Sequence, residues 1–110
     1  MSAGMAVWSA SSVAIDLEPV GTAEGEQFAG ATDLGDFGDG SFGVWTITEG
    51  VSTDVEADEV SVILAGRGSV EDLDTGAVVQ LTAGTVLRLA AGVRTRWTIT
   101  EPIRKVYVVR

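Results

Sequence analysis

The chain has no histidine and no cysteine, and that fixes which chemistry it can do. A histidine general base, a thiolate nucleophile and a serine–histidine triad are all excluded. The proton carriers that remain are carboxylates, lysine and tyrosine. Three of these fall in strongly alternating apolar stretches: Glu59 in DEVSVIL, and Lys105 and Tyr107 in RKVYVV. A desolvated Glu59 can act as a general acid or base, or pair with a neighbouring Lys105 ammonium. Lys105 can also condense with a carbonyl substrate. Glu59, Lys105 and Tyr107 are therefore the catalytic candidates. Glu56, Asp58 and Glu59 lie close in sequence, but strand alternation turns Asp58 away from the face of Glu59.

The elements that would carry these residues are strands. Helical periodicity is absent, and short β-branched or aromatic runs alternate with glycines and acids. The pattern predicts strands over 13–17, 44–48, 51–55, 60–65, 69–72, 77–81, 85–89, 94–99 and 103–109. Turns are expected at Glu49-Gly50, Gly66-Arg67-Gly68, 74–76, 82–84, 90–92 and Glu101-Pro102. Their spacing suggests an all-β sandwich or barrel. At 110 residues the chain forms one domain, large enough for a core without staples. Residues 1–42 read as an irregular, acidic, glycine-rich arm packing on a barrel core over 43–110.

Charge narrows the partners. The net charge is −9; all seven bases lie from Arg67 onward, and residues 1–43 hold seven acids and no base. An acidic chain without a basic stripe is a poor nucleic-acid ligand, and an anionic membrane repels it. No charged start leads into an apolar run, so a soluble cytoplasmic protein is expected. Two apparent motifs fail on context. Gly38-Asp39-Gly40-Ser41-Phe42-Gly43 matches GxGxxG, but the strand-like VWTIT follows it where a dinucleotide loop requires a helix. Asp33, Asp36 and Asp39 are spaced by three, unlike the alternate ligands of a calcium loop. Arg94, Arg96 and Thr98 form an outward row expected to pair with the acidic arm.

Four pieces in order carry a family likeness: GVWTITEG (43–50), DEVSVILAGRGSV (58–70), LTAGTVLRLAAG (81–92) and TRWTITEPIRKVYVV (95–109). About 60% of the chain resembles the cupin superfamily, and within it the small single-domain cupins grouped with ureidoglycine aminohydrolase and the ethanolamine-utilisation protein Q type. The resemblance implies a single-domain cupin jelly-roll β-barrel, commonly a homodimer. It also implies a metal site of three histidines and one glutamate. Glu59 and Gly66 keep the family spacing, but the histidine positions fall at about Thr53, Val55 and Thr95, and the second motif's proline at Ala90. One carboxylate does not hold a transition metal, so no metal and no cofactor are expected.

Alternation then assigns faces. If Thr95 points inward, so do Trp97 and Ile99; if Glu59 does, Ser61 and Ile63 follow. Lys105 and Tyr107 share a face with Ile103, and Trp45 with Ile47. The expected ligand-binding lining is Trp45, Thr53, Glu59, Thr95, Trp97, Lys105 and Tyr107, an aromatic-walled cavity suited to a small organic molecule. Two alternatives stand beside it. One is a metal-independent isomerase or lyase using Glu59, Lys105 or Tyr107. The other is a structural or dimerisation module whose barrel is filled with side chains.

Overall fold

The computed structural model describes residues 4–110; residues 1–3, counted above in the arm, lie outside the described residues. Eight strands follow in order: β1 (Glu18–Pro19), β2 (Phe28–Phe37), β3 (Gly40–Ile47), β4 (Gly50–Val55), β5 (Glu59–Asp72), β6 (Val78–Leu81), β7 (Val86–Leu89) and β8 (Arg94–Val109). All named pairings are antiparallel. The fold is an all-β jelly roll.

Two strands shape it. Along its second half, β8 lies between β3 and the first half of β5; along its first half it lies between β4 and the second half of β5. Both long strands thus pass from one sheet into the other. The crossing point is where turns were expected at 66–68 and 101–102. The structure instead keeps both strands continuous and bends them through register shifts between Ile63 and Gly68. Gly66 makes the bend possible. Its φ is +98°, and a Cβ there would sit 2.1 Å from the Pro102 carbonyl oxygen, so only glycine lets the two backbones approach.

The core sits between the sheets. Ile47, Ile63, Leu81, Leu87, Trp97, Ile99 and Ile103 are buried in one cluster, each large apolar side chain contributing about 1.5–3 kcal/mol by leaving water. The burial of 61/63 and of 95/97/99 follows the period of two.

The N-terminal region differs from its sequence reading in two ways. Residues 28–42, expected to be irregular, form β2 and the start of β3, which pair over Ala29–Phe37. Their glycines and aspartates hid the strand. Gly30 is there because a Cβ would meet the Asp16 carbonyl at 2.0 Å, and Asp33 accepts from the Gly35 N–H at a bulge. Residues 13–17, expected to be a strand, join no ladder. Side chains projecting from the sheet's outer face capture the arm's carbonyls instead. Thr32 donates to the Ala14 oxygen at 2.6 Å, and Arg104 donates to the Ala10 oxygen at 2.8 Å and to the Val13 oxygen. Trp8 packs edge-on against Phe42 at 5.6 Å. The arm is a strap over the outer face, where Val44 is fully buried.

The expected pairing of the outward arginines with that arm is also corrected. Arg94 meets Asp74 at 2.6 Å and Arg96 meets Glu71 at 3.2 Å. The antiparallel register sets Glu71 opposite Arg96 on the neighbouring strand, so these cations find acids nearer than the arm.

Candidate functional site

A cavity of about 280 Å³ opens between the sheets. Its walls come from β2, β3, β4, β5 and β8, and Val20 and Thr22 from the segment before β2 close one side. That segment is tied down by the Thr22 hydroxyl, which donates to the Thr53 carbonyl at 2.6 Å.

Lys105 is the centre of the site. Its side chain is 5% exposed, and its Nζ donates to Glu59 Oε2 at 2.7 Å. The same ammonium lies 4.4 Å from the Trp45 ring centroid and 5.0 Å from that of Trp97. The two indoles are tilted by 54° at 5.6 Å, so both present π faces to one cation. Register explains the assembly: Lys105 pairs with Trp45 across one ladder and with Ile63 across the other. Opposite residues in an antiparallel pair share a face.

Glu56 is the residue that sequence reasoning placed in an acidic cluster and did not assign to the cavity. It lies in the β4–β5 connection, yet its carboxylate turns inward. Oε2 accepts from the Thr95 hydroxyl at 2.6 Å and from the Trp97 indole N–H at 3.0 Å. Burial raises its carboxyl pKa above the ordinary value, ahead of those two hydrogen bonds, which lower it; Asp54 adds to the rise and Lys105 opposes it. A loop position has no alternation to reveal its direction, and the only sequence signal was an acid within reach of an inward strand. Its neighbour Asp58 faces out, as alternation predicted, and meets Arg88 at 2.6 Å and Arg110 at 3.1 Å. The three acids do not form a cluster.

Of the seven residues expected to line the cavity, Trp45, Thr53, Glu59, Trp97, Lys105 and Tyr107 do so, all but Thr53 from inward faces. Tyr107 is half-buried. Its hydroxyl pKa is raised by burial first, then by Asp33 and Glu59. Its ring occupies the space a Gly43 side chain would need, 2.5 Å from its hydroxyl oxygen.

Two expectations need correction. Thr95 is 1% exposed and stands behind Glu56, against a second, largely apolar cavity of about 290 Å³ lined by Val70, Leu87, Leu89 and Val93. Thr53 lines the first cavity from an exposed position. It pairs with Arg96 on the outward face, and Val55, paired with Arg94, is 65% exposed. The inward residues of β4 are Ser52 and Asp54, opposite Trp97 and Thr95. The family spacing set Thr53 and Val55 at the inward histidine positions, one residue off this register, and a one-residue slip inverts every side chain of a strand.

The positions available to a cupin metal are therefore Ser52, Asp54, Glu59 and Thr95. They do not fit one. Neither a nitrogen nor a sulfur donor is present, Glu59 is held by Lys105, and Thr95 is held by Glu56. Among the described residues no three Asp or Glu side chains gather at metal-binding distance.

The family model for the EutQ-like cupin domain matches residues 34–107. The chain belongs to the EutQ-like cupin family. Solved structures agree on the fold. The chain is similar to the EutQ protein of Clostridium difficile (16% identity, TM-score 0.66, 83% of this chain and 74% of that one). It is similar to an ethanolamine utilisation protein Q of Salmonella typhimurium LT2 (21%, 0.66, 84% and 76%). It is also similar to a DUF861 protein of unknown function from Pseudomonas syringae pv. tomato (19%, 0.77, 90% and 45%). No curated protein matches. At these identities the solved structures speak for the fold. Among the described residues no helix is long and apolar enough to cross a membrane.

Proposed function

We propose that this EutQ-like cupin binds a small organic molecule in its barrel without a metal. The observation that carries this reading is the open 280 Å³ cavity walled by Trp45 and Trp97 around a fixed Lys105–Glu59 pair. Aromatic walls supply burial, and a few held polar groups supply orientation. The volume is just below the usual range of about 300–1,000 Å³ for drug-sized ligands, so the ligand is small. A thermal-shift screen of the purified protein against a metabolite library, with and without chelator, tests it. A ligand of the native state raises the melting midpoint by mass action. The expected result is a hit that persists in chelator and disappears in Trp97→Phe. Stabilisation by divalent metals alone would overturn the reading.

Glu56 favours a second reading, in which the site moves a proton. Its carboxyl and that of Glu59 occupy unlike surroundings, one raised by burial and one paired with an ammonium. Unlike carboxyl environments are what acid–base catalysis uses. Deuterium uptake from solvent into a bound ligand, lost in Glu56→Gln, would support a metal-independent isomerase or lyase. Its absence for every ligand found would leave a binding protein.

We infer that the molecule acts as a homodimer through its outer sheet face. Val60, Val62, Val86 and Val108 are exposed there, side by side across β5, β7 and β8. Light scattering giving a monomer at micromolar concentration would refute this.

A further inference from the structure

We propose that the ligand of the barrel is a small organic cation, an amine or similar nitrogen base carrying a short apolar part. This rests on the pocket reading above and names the chemistry it selects. The ionisable side chains lining the cavity, besides the Tyr107 phenol, are Asp54, Glu56, Glu59 and Lys105. The one ammonium is already matched by Glu59 at 2.7 Å. An arriving anion finds no free cation and must face Asp54 at the rim and Glu56 within. An arriving cation finds those two acids without a basic partner among the described residues.

Two further observations point the same way. Trp45 and Trp97 already hold an ammonium at 4.4 and 5.0 Å, so this aromatic environment accepts positive charge. A chain of net charge −9 with an acid-lined cleft also raises the local concentration of cations. Desolvation separates the ligand classes most sharply. A neutral ligand is tolerated. An anion gives up its hydration among carboxylates, and a cation exchanges hydration for charge-assisted hydrogen bonds.

The test is a matched titration with butylammonium, butanol and butanoate at neutral pH, which differ in the charged group and share the alkyl part. The three tryptophan indole N–H signals in the ¹⁵N-correlation spectrum, assigned with Trp→Phe variants, give the readout. Trp45 and Trp97 face the cavity, whereas Trp8 packs on Phe42 outside it and serves as an internal control. The expected result is movement of the Trp45 and Trp97 signals with Trp8 still. Butylammonium should bind at least about fivefold tighter than butanol, the effect of one charge contact at about 4 Å even with water-like screening, and butanoate should bind weakest. In Asp54→Asn/Glu56→Gln the ammonium-to-alcohol ratio should fall towards one. Equal or tighter binding of butanol or butanoate would overturn the cation proposal and leave the pocket reading standing. An unchanged ratio in the double variant would overturn the role of these two acids. If none of the three probes moves the Trp45 and Trp97 signals, or if Trp8 moves with them, the pocket reading falls as well.

Discussion

Replacing Lys105 by methionine keeps most of the side chain's volume and removes its charge. The Glu59 carboxylate, 15% exposed, is then left without its partner. At 2.7 Å and an effective dielectric constant of about 20, the attraction lost is about 6 kcal/mol. Removing both charges from water cost several kcal/mol each when the pair formed, so the pair's net worth is far smaller than its attraction. The single variant, however, keeps one desolvation cost and loses the compensation. Lys105→Met should therefore destabilise by about 3–5 kcal/mol, with the contacts to two indoles adding about 1 kcal/mol. Adding Glu59→Gln removes the orphaned charge. The double variant should recover at least about 2 kcal/mol relative to the sum of the two single variants. Urea denaturation of the four proteins, followed by far-ultraviolet circular dichroism at neutral pH, measures the cycle. Additive effects, or a single variant costing under about 1 kcal/mol, would show that Lys105 and Glu59 do not act as a buried pair.

Three other outcomes follow from single contacts. Gly66→Ala forces a left-handed residue against the Pro102 carbonyl and should cost at least about 2 kcal/mol. Gly76→Ala, at φ +78° with open space around it, should cost only about 1 kcal/mol; equal melting points for the two would refute the close-approach role. Burial makes native Glu56 hold its proton more tightly than the unfolded chain does. Its stabilising contribution is thus complete below about pH 4.5, and it is lost as pH rises through the raised native value. Glu56→Gln should remove this decline, gaining on the parent protein as pH rises above about 4.5; a gap that shrinks with pH would contradict the sign. Arg104→Ala frees the Ala10 and Val13 carbonyls, each charge-assisted bond being worth about 1.5–3 kcal/mol. Cleavage of the arm after Trp8 or Leu17 should accelerate about tenfold, and an unchanged rate would mean that Arg104 does not hold the strap.

Much of the barrel was legible because alternation is strict where one face is buried. The inward sets of Glu59 and Ser61, of Trp97 and Ile99, and of Ile103, Lys105 and Tyr107 follow from the period of two, and the absence of helix among the described residues from the lack of any longer period. What was hidden had specific causes. The β2 strand carries glycines and aspartates for close approach and a bulge, residues that read as loop. In β4 the family spacing named Thr53 and Val55, whereas the register with β8 turns Ser52 and Asp54 inward. Gly66 and Pro102 look like turn residues and instead bend two continuous strands. Glu56 sits in a connection, where no periodicity says which way a side chain points; its direction is set by the Trp97 and Thr95 donors on a strand 39 to 41 residues away.

The central claim is binding in the barrel without metal. Isothermal titration of the best ligand from the thermal-shift screen, on protein stripped by chelator and on the same protein reloaded in turn with manganese, iron, nickel and zinc, tests it most directly. The Lys105–Glu59–tryptophan arrangement predicts the same affinity in every sample and less than one metal ion per ten chains by elemental analysis, in keeping with a site that lacks the three or more good ligands a metal needs. Binding that appears only after reloading, with one metal ion per chain, would contradict it.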